Sequence, residues 1–124
     1  MSELRDVTTE ELASRLGEDG LLVLDVRSAA EYAGLLGAPC DPRQGHIPGA
    51  RLLELGDLLS LSAEALRAAV ALPPGAEVVA YCHTGARSAM AVEALRAAGF
   101  EARNYAGSWH AWSRDDSLPA ERGS

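Results

Sequence analysis

The chain contains no lysine. All 11 of its basic residues are arginine, set against 18 acidic residues and a formal net charge of −7 over 124 residues. Without lysine there is no Schiff-base chemistry and no lysine-bearing phosphate loop. Without a basic excess, neither nucleic acid nor an anionic membrane surface is an expected partner, because both reward positive charge. Cysteine is scarce too, and Cys40 and Cys82 cannot build a disulfide framework. No run approaches the roughly 18 apolar residues of a membrane span, and Met1 to Arg5 lacks the apolar core of a secretory leader. The expectation is a cytoplasmic protein whose cysteines stay reduced.

With 48% hydrophobic and 23% charged residues, the composition is that of a globular protein. The length suits one domain, expected as an ordered core over about 5–114 with a tail over 115–124. Such a domain buries enough surface to fold without metal or disulfide.

Thr8 and Glu11 are spaced as a capping box, with Val7 and Leu12 as its staple and Gly17 as the helix stop. Leu21 to Leu24 is a continuous apolar run ending at Asp25, which predicts a strand buried on both faces. Ser28 and Glu31 form a second capping box, over a short helix containing Tyr32. Gly34 to Gly45 reads as a loop, and Ala50 to Leu53 as a short strand. Ser62 caps a helix through Val70 that Pro73 and Pro74 end. Val78 to Tyr81 is a second buried strand. A helix over about Ala86 to Ala98 follows, with Met90, Ala94 and Leu95 inward and Gly99 at its end. Ala102 to Tyr105 reads as a last strand before a Trp-containing helical turn near Ser108. Alternating strands and helices predict an α/β fold with a parallel sheet flanked on both faces.

The chemistry concentrates in Cys82-His83-Thr84-Gly85-Ala86-Arg87-Ser88. Cys82 stands where a parallel strand gives way to a helix, the edge at which such sheets bind ligands. Gly85 is free to take a positive φ, so that successive N–H groups curl into an anion cradle at the helix N-terminus. Arg87 adds a full charge and a planar fork suited to an oxyanion. All of these favour thiolate over thiol and describe a nucleophile that receives an anionic substrate. A buried structural cysteine is the plain alternative, since free cysteine is among the most buried residue types.

With these residues in view, the sequence resembles the rhodanese family of sulfurtransferases over nearly its whole length. Leu24-Asp25-Val26-Arg27 with Glu31-Tyr32 is similar to a first family signature, and Gly45-His46-Ile47-Pro48-Gly49-Ala50 to a second. The Cys82 to Ser88 loop is similar to the active loop, and Gly107-Ser108-Trp109 with Trp112 to the closing motif. The resemblance implies an α/β fold around a five-stranded parallel sheet. It implies a thiosulfate sulfurtransferase in which Cys82 takes sulfane sulfur as a persulfide, with Arg87 beside it and His83, Thr84, Gly85, Ala86 and Ser88 binding the substrate. The implied partners are a small-molecule sulfur donor, a thiol or cyanide acceptor and a possible protein acceptor. No cofactor is expected, because the transferred sulfur rides on the enzyme.

Two rivals follow from the same loop. Arginine-loop phosphatases and arsenate reductases place five residues between cysteine and arginine, and here only four intervene. Non-catalytic rhodanese-like binding modules lose the cysteine that this chain keeps. Asp25 and Arg27 are expected to make a structural ion pair near the loop, and His46 to hold its turn. Trp109 and Trp112 are expected in the core. The acidic residue that usually precedes the second tryptophan is replaced by Ala111. His83 faces either solvent or substrate. Cys40 is either a spectator or a resolving thiol. Cys40, His46, Cys82 and His83 lack the spacing of a zinc site, so no metal is assigned.

Overall fold

The computed structural model describes residues 5–72 and 76–123. In chain order it holds α1 (Thr9–Arg15), β1 (Leu21–Asp25), α2 (Ala29–Ala33), β2 (Arg51–Leu52), α3 (Leu55–Ser60), α4 (Ala63–Val70), β3 (Glu77–Tyr81), α5 (Ala86–Ala97), β4 (Glu101–Asn104) and α6 (Ser108–Trp112). The four strands form one parallel sheet in the order β2-β1-β3-β4.

Side-chain alternation along the central strands builds two cores. Leu24, Val78, Ala80 and Cys82 face one side, against Leu58, Leu66, Ala91, Val92 and Leu95 of α3, α4 and α5. Val23, Val79 and Tyr81 face the other, against Leu12 of α1 and Trp109 and Trp112 of α6. Period-two alternation with both faces covered is why these strands read as unbroken apolar runs. The same alternation directs Cys82, one residue past β3, to the α5 side.

Among the described residues four strands stand where the family resemblance implies five. Beside β4, among the described residues, Val7 N–H makes a ladder-like bond to Asn104 C=O at 2.8 Å. Thr8 caps α1 by accepting from Glu11 N–H, but Glu11 does not complete the box. Its carboxylate is taken instead by Arg103, at 2.7 Å. The Ser28–Glu31 box is complete. Ser62 caps α4 as expected, while Pro73 and Pro74 lie outside the described residues. α3, with Gly56 inside it and no side-chain cap, was not legible as a helix. Met90 is 52% exposed, and the inward face of α5 is Ser88, Ala91, Val92 and Leu95. That stripe keeps the helical spacing, and Met90 falls off it.

The segment expected as a tail beyond residue 114 folds back onto the domain. Trp112 Nε1 donates to Pro119 C=O at 2.7 Å, His46 and Glu121 form an antiparallel bridge, and Arg122 donates to Gly34 C=O. Its few apolar residues, Leu118 and Ala120, pack on the α6 side of the core.

Below the C-terminal edge of the sheet lies a buried ion pair. Arg27 Nη2 meets Asp25 Oδ2 at 2.6 Å with both side chains almost wholly inaccessible. The same guanidinium donates to Gly45 C=O and lies 5.2 Å from the centre of the Trp109 ring and 5.5 Å from that of Tyr81. One cation thus ties β1, the 34–45 loop, β3 and α6 together. Removing one partner leaves the other charge buried and uncompensated. Arg27→Ala is therefore expected to cost about 3–5 kcal/mol of stability. Urea unfolding checks this, and an unchanged midpoint would show that the pair does not hold the scaffold.

Candidate active site

Cys82 leaves the end of β3 and is 1% exposed. Its Sγ accepts from Gly85 N–H at 3.1 Å and from Ser88 N–H at 3.4 Å, and lies 3.4 Å from the Ser88 hydroxyl. Gly85 and Ser88 frame the first turn of α5, whose leading N–H groups have no helical carbonyl to serve. Gly85 makes the approach possible. Its φ is +96°, and a Cβ there would lie 2.6 Å from Ala106 C=O. Only glycine takes that turn without strain.

Burial opposes charge on Cys82, but the Ser88 hydroxyl and the amides of Ser88, Gly85 and Thr84 outweigh it. They hold the thiol below its ordinary pKa. The dipole of the twelve-residue α5 acts in the same direction. A second set of bonds fixes the cysteine backbone. Ser108 Oγ accepts from Cys82 N–H, and Cys82 C=O accepts from Trp109 N–H. Ser108 adopts a left-handed φ of 55° to do so. On the far side of Ser88, the buried Asn104 lies with Oδ1 at 2.6 Å from the Ser88 hydroxyl and donates through Nδ2 to Gly85 C=O.

Not every residue of the predicted loop faces the sulfur. Thr84 and Ala86 have exposed side chains, and only the Thr84 amide bears on Cys82. Arg87 points along the rim, its side chain 40% exposed, and pairs fork to fork with Glu31 at 3.2 and 3.3 Å. Hydrogen bonding from Glu31, against partial burial, raises the Arg87 pKa further. Glu31 itself is held below the carboxylate range despite burial, by Arg87 and by its capping contact at Ser28. Arg87 also lines a cleft of about 230 Å³ with Ser28 and Glu54.

Sequence reasoning found Glu31 as a cap but missed its pairing with Arg87, 56 residues away. It missed Asn104 altogether, which carried no signal beyond a polar residue in an apolar strand. His83 reaches Asp41, with Nε2 to Oδ2 at 2.8 Å. Cys40 is an exposed free thiol, whereas Cys82 is buried. His46 stacks on Tyr32 and bonds to its carbonyl region, as its turn-holding role requires. Trp109 and Trp112 are core residues. No helix among the described residues is long and apolar enough to cross a membrane.

The family model of the rhodanese-like domain matches residues 8–115. A probable 3-mercaptopyruvate sulfurtransferase of Pseudomonas aeruginosa is 38% identical over 122 residues, covering 90% of this chain and 43% of that protein. A thiosulfate sulfurtransferase of the same organism is 35% identical over 125 residues, covering 92% and 45%. The crystal structure of a probable thiosulfate sulfurtransferase superposes with a TM-score of 0.79 at 45% identity, over 94% of this chain and 47% of that one. The anaerobic ergothioneine biosynthesis enzyme of Chlorobium limicola shares the fold, with a TM-score of 0.84 at 24% identity over 97% and 28%. This chain thus spans less than half the length of each of these relatives. With the α/β sheet, the cysteine loop and a match over residues 8–115 in agreement, the chain belongs to the rhodanese-like family.

Proposed function

We propose that the protein is a sulfurtransferase that moves sulfane sulfur from thiosulfate, or a donor of similar chemistry, to a thiophilic acceptor through a persulfide on Cys82. The observation that carries this reading is the convergence of the Gly85 and Ser88 N–H groups on a buried Cys82 Sγ, with the Ser88 hydroxyl beside it. The names of relatives as thiosulfate and 3-mercaptopyruvate sulfurtransferases agree with it.

In the first half-reaction the thiolate attacks the outer sulfur of thiosulfate. The S–S bond of the donor breaks, sulfite leaves with the electron pair, and Cys82 is left as an anionic persulfide. The amides of Thr84, Gly85 and Ser88 are placed to receive negative charge there, as an oxyanion hole does. In the second half-reaction a thiolate or cyanide takes the outer sulfur and Cys82 regains its thiolate. Arg87 and the cleft beside it are the approach for the donor anion. A protein acceptor and work in the reducing cytoplasm belong to the same reading, because a free thiolate persists where thiols stay reduced.

Intact-mass measurement tests the proposal. Thiosulfate is expected to add one sulfur atom, cyanide to remove it, and Cys82→Ser to show neither. An unchanged wild-type mass would overturn the proposal and favour a binding module. Persulfide loading requires nothing from the exposed Cys40, so Cys40→Ser is expected to load normally.

Two variants probe how the site works. Ser88→Ala removes a donor that favours the thiolate, so the midpoint of the pH–rate profile for iodoacetamide alkylation of Cys82 should move to higher pH. Reactivity below that midpoint should fall. An unmoved midpoint would mean that the amides alone set the thiolate. For Arg87, pairing with Glu31 already offsets much of its charge. Arg87→Ala is expected to slow loading by about tenfold, less than the ~10²–10³ of an oxyanion-hole donor. Arg87→Lys should recover part of this, since it keeps the charge and loses the fork. Wild-type loading rates in Arg87→Ala would remove Arg87 from the mechanism.

A further inference from the structure

Three side chains from separate segments meet at the outer edge of the cysteine loop. Asp41 lies in the 34–45 loop, His83 follows the cysteine, and His110 sits on α6. One ligand-type atom from each falls within 4.8 Å of the other two.

The Asp41 side chain is 1% exposed, and its two oxygens are used differently. Oδ1 accepts from Arg114 Nη1 at 2.8 Å, which fixes the orientation of the carboxylate. Oδ2 has no hydrogen-bond partner, and neither has His83 Nε2, although the two lie 2.8 Å apart. The oxygen therefore stands off the direction in which an Nε2 proton would point. Two buried polar atoms facing each other without a bond are a costly arrangement unless a cation joins them. His110 Nδ1 is 3.9 Å from Asp41 Oδ1, and its half-exposed ring gives a path from solvent.

We propose that Asp41, His83 and His110 form a binding site for a borderline divalent cation of the zinc class, completed by water. Two imidazoles and a carboxylate are the donor set for such an ion, and three protein ligands leave an open position. Neighbouring ligand atoms around a tetrahedral zinc ion stand roughly 3.4 Å apart, given metal–ligand lengths near 2.1 Å. His83 Nε2 and Asp41 Oδ2 stand 2.8 Å apart, and the three ligand atoms lie within 4.8 Å of one another, so small side-chain shifts reach that spacing. Arg114 on Oδ1 serves as the orienting outer partner that metal-binding carboxylates usually have. Its charge also opposes the ion, so the site is weaker than a closed structural zinc centre. A bound ion would lock the 34–45 loop, the cysteine loop and α6 together, with Cys82 outside the ligand set. The site does not depend on the sulfurtransferase reading.

The test is calorimetric titration of Zn²⁺ into the Cys40→Ser/Cys82→Ser double variant, which removes both thiols as competing ligands. One ion per chain is expected, together with a rise in melting temperature when Zn²⁺ is added. In the same background, His110→Ala changes a half-exposed side chain. It should weaken binding by more than the roughly 10–100-fold that loss of an outer-shell partner costs. His83→Gln should do the same. Absence of saturable binding would overturn the proposal. So would binding that survives His110→Ala and His83→Gln unchanged, because the ion would then sit elsewhere.

Discussion

A buried sulfur whose thiol is held below its ordinary pKa is the constraint on which this structure turns. Burial alone would push the Cys82 thiol toward neutrality. The fold answers by bringing polar hydrogens to the sulfur from one side, and this needs the left-handed turn at Gly85. That turn swings α5 over the cysteine so that its first amides point back at Sγ. The space it uses is bounded by Ala106 C=O, just before α6. The start of α6 in turn binds the Cys82 backbone through Ser108 and Trp109. Two loops at the C-terminal edge of the sheet therefore interlock around a single atom.

Charged side chains are arranged so that neither guanidinium near the loop stands alone. The inner one, Arg27, is matched by Asp25 and enclosed by aromatic rings, and its work is mechanical. The outer one, Arg87, is matched by Glu31 but remains partly open to solvent. Glu31 is itself fixed by the Ser28 cap, so a local helix-start signal also sets the position of the rim cation. In a chain of net charge −7, an approaching anion meets no favourable field at long range. Attraction has to come from oriented amides at close quarters, which is where the geometry supplies it.

What could be read from the sequence and what could not divide along the same line. Cys82, Gly85 and the Ser28–Glu31 box are local signals, because their chemistry is decided within a few residues. β1, β3, α4, α5 and α6 were legible from apolar runs, caps and stops. The two-layer core followed from strands apolar at every position. Long-range pairings were not legible. Nothing near Glu31 announces Arg87, nothing near Asp41 announces His83 and His110, and the return of residues 115–123 rests on bonds between distant segments, from Trp112, Arg122 and the His46–Glu121 bridge, with Leu118 and Ala120 packed beneath. Met90 was misread because the residues of the true stripe, Ser88 and Ala91 among them, are small or polar and make a weak pattern. Among the described residues the chain beside β4 contributes a single ladder bond there, and four strands are seen.

The donors around Cys82 and the groups at its rim are separable in origin, and this bears on how such a loop can serve different substrates. Every group that bonds to Sγ lies between residues 82 and 88, so the thiolate is stabilised by a contiguous stretch of chain. The neighbouring groups come from distant segments: Glu31 and Glu54 beside Arg87, Asp41 and His110 beside His83. Relatives named for thiosulfate and for 3-mercaptopyruvate match this chain at similar identity, as expected if the nucleophile is shared and the choice of donor is made at the rim. In this chain the rim holds a neutralised arginine on one flank and a histidine–aspartate cluster on the other. Those two flanks are built from other parts of the chain than the amides of Gly85 and Ser88 that bond to Sγ.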